Sequence, residues 1–144
     1  MISAKSPVLS SLNASSLGIT PTMLIMDPGA SHSLTSKRVL FNTGSIAPCE
    51  PVAFNGVSKR GSAVVAREAG DILGFDNVLY SPDAFTTIIS LSQYERDRRY
   101  KIVYSQDKCH FTIEKNGVKY WFTPHESGLK ICDIAKPGAV TKTA

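Results

Sequence analysis

The sequence predicts an all-β fold, closed or sandwiched, and three features of the chain lead to it. Short runs rich in β-branched and aromatic residues recur along the 144 residues, bounded by glycine, proline or asparagine. Several of those runs alternate apolar and polar residues, which is the period of a half-buried strand. Helical spacing is confined to one stretch, Leu91 to Arg98, where Leu91, Tyr94 and Glu95 fall on one face.

The elements follow in order. Residues 1–21, with Ser10, Ser11, Ser15 and Ser16, read as a flexible leader. Thr22 to Met26 is a short buried strand that stops abruptly at Asp27-Pro28-Gly29. A second hydrophobic stretch runs from Ser33 to Phe41 and breaks at Asn42-Thr43-Gly44. Pro48 and Pro51 bracket the start of a strand at Val52-Ala53-Phe54. Asn55-Gly56 and Gly61 mark a flexible hairpin tip, because glycine accepts the positive φ of tight turns. Ser62 to Glu68 returns as a strand, and Phe75 to Tyr80 is another, closed by Ser81-Pro82-Asp83. Thr86 to Leu91 is strongly β-branched and leads into the helix. Tyr100–Tyr104, Cys109–Glu114 and Val118–Phe122 are three more strands, with Asn116-Gly117 as the hairpin between the last two. These elements divide into a main domain at residues 22–105, an additional strand-rich extension at 106–135 and a disordered tail at 136–144.

Composition narrows the function classes. Hydrophobic content of 42% with 19% charged residues fits a globular chain with one modest core. The net charge of +4 is spread out, and Asp97 interrupts its densest run, Arg96 to Lys101. Nucleic acid is therefore not indicated as a partner, and the run reads as a solvated helix end. Cys49, Cys109 and Cys132 have spacings that imply no disulfide framework, which points to reduced thiols and the cytoplasm. No apolar run approaches the roughly 18 residues of a membrane span, so no membrane partner is expected. Asn13-Ala14-Ser15 fits a glycosylation sequon but follows no secretory signal.

The segment richest in chemistry is Leu24-Ile25-Met26-Asp27-Pro28-Gly29-Ala30-Ser31-His32. An apolar strand anchors a loop, Asp27 projects at its tip, and Gly29 lets another backbone approach closely. Two such carboxylates about 3 Å apart cannot both ionise, so they share one proton and divide acid and base roles. One carboxyl polarises a peptide carbonyl while its partner takes a proton from water. The chain carries a single loop of this kind, so a second copy of the chain must supply the other carboxylate. Asp-Pro-Gly-Ala also fits an ordinary four-residue turn with Pro second and Gly third.

Two later segments change the weight of that loop: Asn77-Val78-Leu79-Tyr80-Ser81-Pro82, and Thr87-Ile88-Ile89-Ser90-Leu91-Ser92-Gln93. Together with the Asp27 loop they resemble, in order and approximate spacing, the proteases of copia-type LTR retrotransposons, a branch of the retropepsins. The resemblance covers residues 23 to about 105. It implies a retropepsin-like closed β-barrel half with one short C-terminal helix and an extra C-terminal β-hairpin. It also implies Asp27 as the catalytic residue, supported by Pro28, Gly29 and Ala30, and a flap and substrate-binding hairpin at Phe54, Asn55, Gly56 and Val57. The implied partners are a second copy in a symmetric homodimer and a polypeptide substrate, with neither cofactor nor metal. One position departs from the family: Pro28 stands where a Ser or Thr is usual. The family uses that hydroxyl and backbone N–H to lock two loops across the dimer axis, and proline supplies neither donor. Losing about four hydrogen bonds at roughly 0.5–1.5 kcal/mol each weakens such a dimer by several kcal/mol.

Other readings compete. Ser31 beside His32 invites a serine hydrolase, but the segment lacks the second glycine of a nucleophile elbow, and adjacent residues are not expected to form the Ser–His bond. Cys109, His110, His125 and Cys132 invite zinc without the usual ligand spacing, and strand alternation predicts Cys109 in the core with Phe111 and Ile113. Trp121 could be a stacking platform, yet alternation places Tyr120 and Phe122 in the core and Trp121 on the opposite face. A different class of function also remains: a non-catalytic dimerisation or binding module of the same fold, domesticated by a host or inactivated by Pro28.

Overall fold

A computed structural model describes residues 2–4, 18–55, 63–107 and 109–142. Its strands are β1 (Ile2–Ala4), β2 (Met23–Asp27), β3 (Leu34–Thr35), β4 (Ala47–Phe54), β5 (Val64–Ile72) and β6 (Phe75–Tyr80). They continue with β7 (Thr87–Ser90), β8 (Lys101–Tyr104), β9 (Phe111–Lys115), β10 (Val118–Pro124), β11 (Lys130–Asp133) and β12 (Val140–Lys142). A single α-helix among the described residues, α1 (Leu91–Glu95), follows β7 directly. The architecture is all-β, and no helix among the described residues is long and apolar enough to cross a membrane.

The strands join in the order β1-β4-β5-β6-β3-β7-β2-β11-β10-β9-β8, with β12 attached to β10. This is an open path that ends at β1 and β8 among the described residues, where the sequence led us to expect a closed barrel. Closure requires the two end strands to pair, and they do not.

β2 holds the centre. It runs parallel to β7 and antiparallel to β11, and all five of its residues are buried. A strand covered on both faces needs apolar residues at successive positions, which is why Met23-Leu24-Ile25-Met26 does not alternate. Met23 and Ile25 enter one core with Leu34, Phe54, Leu79 and Ile88. Leu24 and Met26 enter a second core with Phe75, Ile89, Tyr94, Phe111 and Phe122.

The second core depends on the segment 106–135, which lies within one continuous sheet with the rest of the chain. β9 and β10 form the expected hairpin, with Asn116 at φ 53° and Gly117 at φ 77°, the left-handed pair that a two-residue turn requires. Tyr120 and Phe122 are buried, while Trp121 faces the other way and donates its Nε1–H to Thr141 Oγ1 at 2.9 Å. β11 then returns beside β2, pairing Ile131 with Ile25 and Cys132 with Leu24.

The hydrophobic stretch Ser33–Phe41 holds the two-residue β3 and a single 3-10 turn at Arg38–Leu40. Several expectations are corrected. The helix ends at Glu95, short of Arg98. Cys109 is exposed, because β9 begins only at Phe111 and the alternation does not extend back to it. Within the expected disordered tail, Val140–Lys142 forms β12 against Val118–Tyr120 of β10. Within the expected leader, Ile2–Ala4 pairs in parallel with Val52–Phe54 of β4. Gly56 and Val57 of the expected flap lie outside the described residues.

Candidate active site

Asp27 is the last residue of β2 and is fully buried. Its backbone pairs with Ser90, the last residue of β7, so the loop after β2 and the start of α1 leave the sheet side by side. The loop is a tight turn closed by the Ala30 N–H on the Asp27 carbonyl at 3.2 Å. The Gly29 N–H donates to Asp27 Oδ1 at 3.0 Å and fixes the carboxylate toward the turn. Pro28 and Gly29 are exposed at the tip, whereas Ala30 is buried. A buried carboxylate therefore sits directly behind an exposed two-residue tip.

Hydroxyl groups hold this turn in place. Ser90 Oγ donates to the Ala30 carbonyl at 2.7 Å, and Ser92 Oγ reaches the same oxygen at 3.1 Å. Ser90 Oγ also accepts the Gln93 N–H at 3.2 Å, the N-cap bond that starts α1. Ser33 Oγ accepts the Ser90 N–H at 2.9 Å, and Gln93 Oε1 accepts the Ser33 N–H at 2.8 Å. Farther along, Thr35 and Thr87 meet through their hydroxyls at 2.7 Å, both buried. Ser33, Thr35, Thr87 and Ser90 thus satisfy one another where β3 and β7 lie side by side, as buried hydroxyls must. Ser90, Ser92 and Gln93 lie in a segment that carries the resemblance, but the sequence assigns them no anchoring role; Ser33 and Thr35 give no sign, because isolated hydroxyl residues carry no periodic signal.

Next to the turn lies an open groove of about 660 Å³. Ser31 and His32 form one wall, Cys49, Glu50 and Val52 of β4 another, and Ser92, Gln93 and Arg96 a third. Ala69 and Leu79 contribute apolar surface. Asp27 does not line this groove. Phe54, from the expected flap, is fully buried and meets the His32 ring edge-on at a centroid distance of 6.2 Å, while Asn55 is exposed. The β4 strand is in this way tied to the residues that follow the Asp27 turn.

Ser31 Oγ and His32 Nδ1 are 2.8 Å apart, so the adjacent pair does make the bond that was not expected of neighbours. Burial lowers the His32 pKa below the ordinary histidine value. A histidine serving as general base beside a carboxylate would be pulled the other way. The four residues of the zinc reading are dispersed. Cys132 is buried in β11 with its thiol pushed up to about 12 by burial, Cys109 is exposed, and among the described residues no three His, Cys, Asp or Glu side chains come together as ligands. In the basic run Arg96 to Lys101, Arg99 is exposed and paired with Asp97 at 2.6 Å and Asp76 at 2.7 Å.

No family model, no curated protein and no solved structure matches the chain.

Proposed function

We propose that the chain is an aspartic endopeptidase of the retropepsin type, resembling the copia-type retrotransposon proteases that process their own polyproteins. Each chain supplies one catalytic carboxylate, Asp27, and a second copy supplies the other. The observation that carries this reading is the placement of Asp27: last residue of a central buried strand, its Oδ1 bonded by the Gly29 N–H at 3.0 Å, its loop anchored by Ser90 Oγ at the end of β7. The exposed Pro28-Gly29 tip favours the dimer, because two copies can approach there with little displacement of packed residues. Two carboxylates brought together would share one proton, so activity belongs at mildly acid pH. Because Asp27 is buried in the single chain, pairing must also open the turn toward the substrate.

The test is cleavage of a peptide library at mildly acid pH across an enzyme concentration series. Asp27→Asn is expected to abolish cleavage while leaving the circular dichroism spectrum unchanged; persistent cleavage would remove Asp27 from the mechanism. Pro28→Ser restores an N–H and a hydroxyl at the tip, and is expected to raise activity most at low enzyme concentration, where dimer formation limits the rate. Equal activity and equal dimer dissociation constants for Pro28→Ser and the unaltered chain would show that proline is simply accommodated.

A second reading, a non-catalytic pairing module of the same fold, is favoured by Pro28, which removes two donors from the exposed tip. It retains the dimer in sedimentation and shows no cleavage at any enzyme concentration, with or without Pro28→Ser.

A further inference from the structure

β4 uses one edge to pair with β5 and the other to pair with β1. The second pairing is short: Ile2, Ser3 and Ala4 lie opposite Val52, Ala53 and Phe54 in parallel register, and β1 has no other strand partner among the described residues. A strand of three residues with one neighbour has little to hold it, since few backbone bonds compensate its ordering. The edge it covers is well placed. Val52 lines the groove beside Ser31 and His32, and Phe54 touches the His32 ring. Whatever pairs with β4 at these residues pairs with a strand whose side chains reach Ser31 and His32, the residues that follow the Asp27 turn.

We infer that the outer edge of β4 is a docking edge for an extended polypeptide, filled in cis by the chain's own Ile2–Ala4. The seated segment is itself the evidence that the edge accepts a strand: an extended piece of polypeptide, joined to the body through residues 5–17, is held there by main-chain pairing. Main-chain pairing at a sheet edge depends weakly on sequence, so an incoming polypeptide competes for the same N–H and C=O groups. The two occupants exclude each other. β1 thus acts as a self-occluding strand, whether or not the carboxylate beyond it cuts peptides.

The experiment uses the full chain carrying Asp27→Asn, so that no cleavage is read and the result is independent of the endopeptidase reading. The probe is a fluorescein-labelled peptide with the sequence of residues 1–8, Met-Ile-Ser-Ala-Lys-Ser-Pro-Val. Its binding is compared, by anisotropy, between this chain and two versions of it bearing Ser3→Pro or Ala4→Pro. Alternate residues of a parallel strand bond to a given neighbour, so one of two adjacent prolines must remove a bonding N–H. At least one proline variant is expected to bind the peptide ten-fold or more tightly than its parent, with slowed amide exchange at Val52–Phe54 in the complex. Equal affinity in all three proteins, no binding to any, or protection confined to other strands would overturn the inference.

Discussion

Residues 27–30 and residues 72–75 both reverse the chain between buried strands, and both are held by side chains from distant positions. They are held by different means. At the Asp27 turn the anchors are the short hydroxyls of Ser90 and Ser92 on the Ala30 carbonyl. At the turn between β5 and β6, the Gly74 N–H donates to Tyr120 Oη at 2.8 Å, and Tyr100 Oη donates to the Gly74 carbonyl at 3.0 Å. Tyr94 adds a bond from its hydroxyl to the Asp76 carbonyl at 2.8 Å. The three tyrosines pack around Phe75, with ring centroids 4.7 Å away for Tyr120 and 5.3 Å for Tyr94. There is no room for more, since a Cβ on Gly74 would stand 2.8 Å from Tyr120 Oη. The tyrosine turn is bound to the core by large aromatic rings as well as by their hydroxyls; the Asp27 turn is held by small hydroxyls, with only the methyl group of Ala30 in the core. A hydroxyl anchor fixes the backbone and leaves the Pro28-Gly29 tip bare, which suits a turn that must meet something else.

The comparison can be broken at its heavier end first. Tyr120→Ala removes a buried ring together with its bond to Gly74, and is expected to destabilise the fold by about 3–5 kcal/mol, measured by urea denaturation. A loss below about 1 kcal/mol would mean the tyrosine turn is not anchored through the core. Ser90→Ala should cost less, about 1–2 kcal/mol, because it deletes a helix cap and one anchor while the apolar packing stays. If the two substitutions cost the same, the contrast between the turns is lost. The smallest effect concerns His32. Its folded-state pKa lies below the ordinary value because of burial, so the unfolded chain takes up a proton first as pH falls. Stability present at neutral pH should therefore decline below about pH 6.5, and His32→Phe should flatten that decline in melting temperatures taken from neutral to acid pH. An unchanged slope would show that His32 is as easily protonated folded as unfolded.

Much of the fold was legible where a local pattern and its burial agree. The unbroken apolar run before Asp27 is a strand covered on both faces, and Asn116-Gly117 takes the left-handed pair its hairpin needs. The β-branched run that ends at Ser90 leads into a short helix, where the sequence placed one. What failed to show is what depends on a distant partner. β11 and β12 are short and weakly patterned, and they become strands only because β2 and β10 offer them an edge. Cys109 failed for the reverse reason: the strand whose pattern put it in the core begins only at Phe111, two residues beyond it. At the candidate site, Asp27 and its turn could be read directly. The hydroxyls that secure it could not, since Ser33 and Ser92 come near Ser90 and Ala30 only through the pairing of β3, β7 and β2.

The position of β11 beside β2 bears on the order in which the chain can be assembled. Thr22 Oγ1 donates to Asp133 Oδ1 at 2.7 Å across 111 positions, and four residue pairs between the two strands accompany that bond. Such contacts raise the contact order, and a fold built on them closes late. During synthesis the Asp-bearing strand must therefore wait, one flank unpaired, until residues 130–133 have emerged. A nascent chain, or one cut anywhere before Lys130, carries its most apolar strand as a bare sheet edge, open to pairing with a neighbour instead of with its own end.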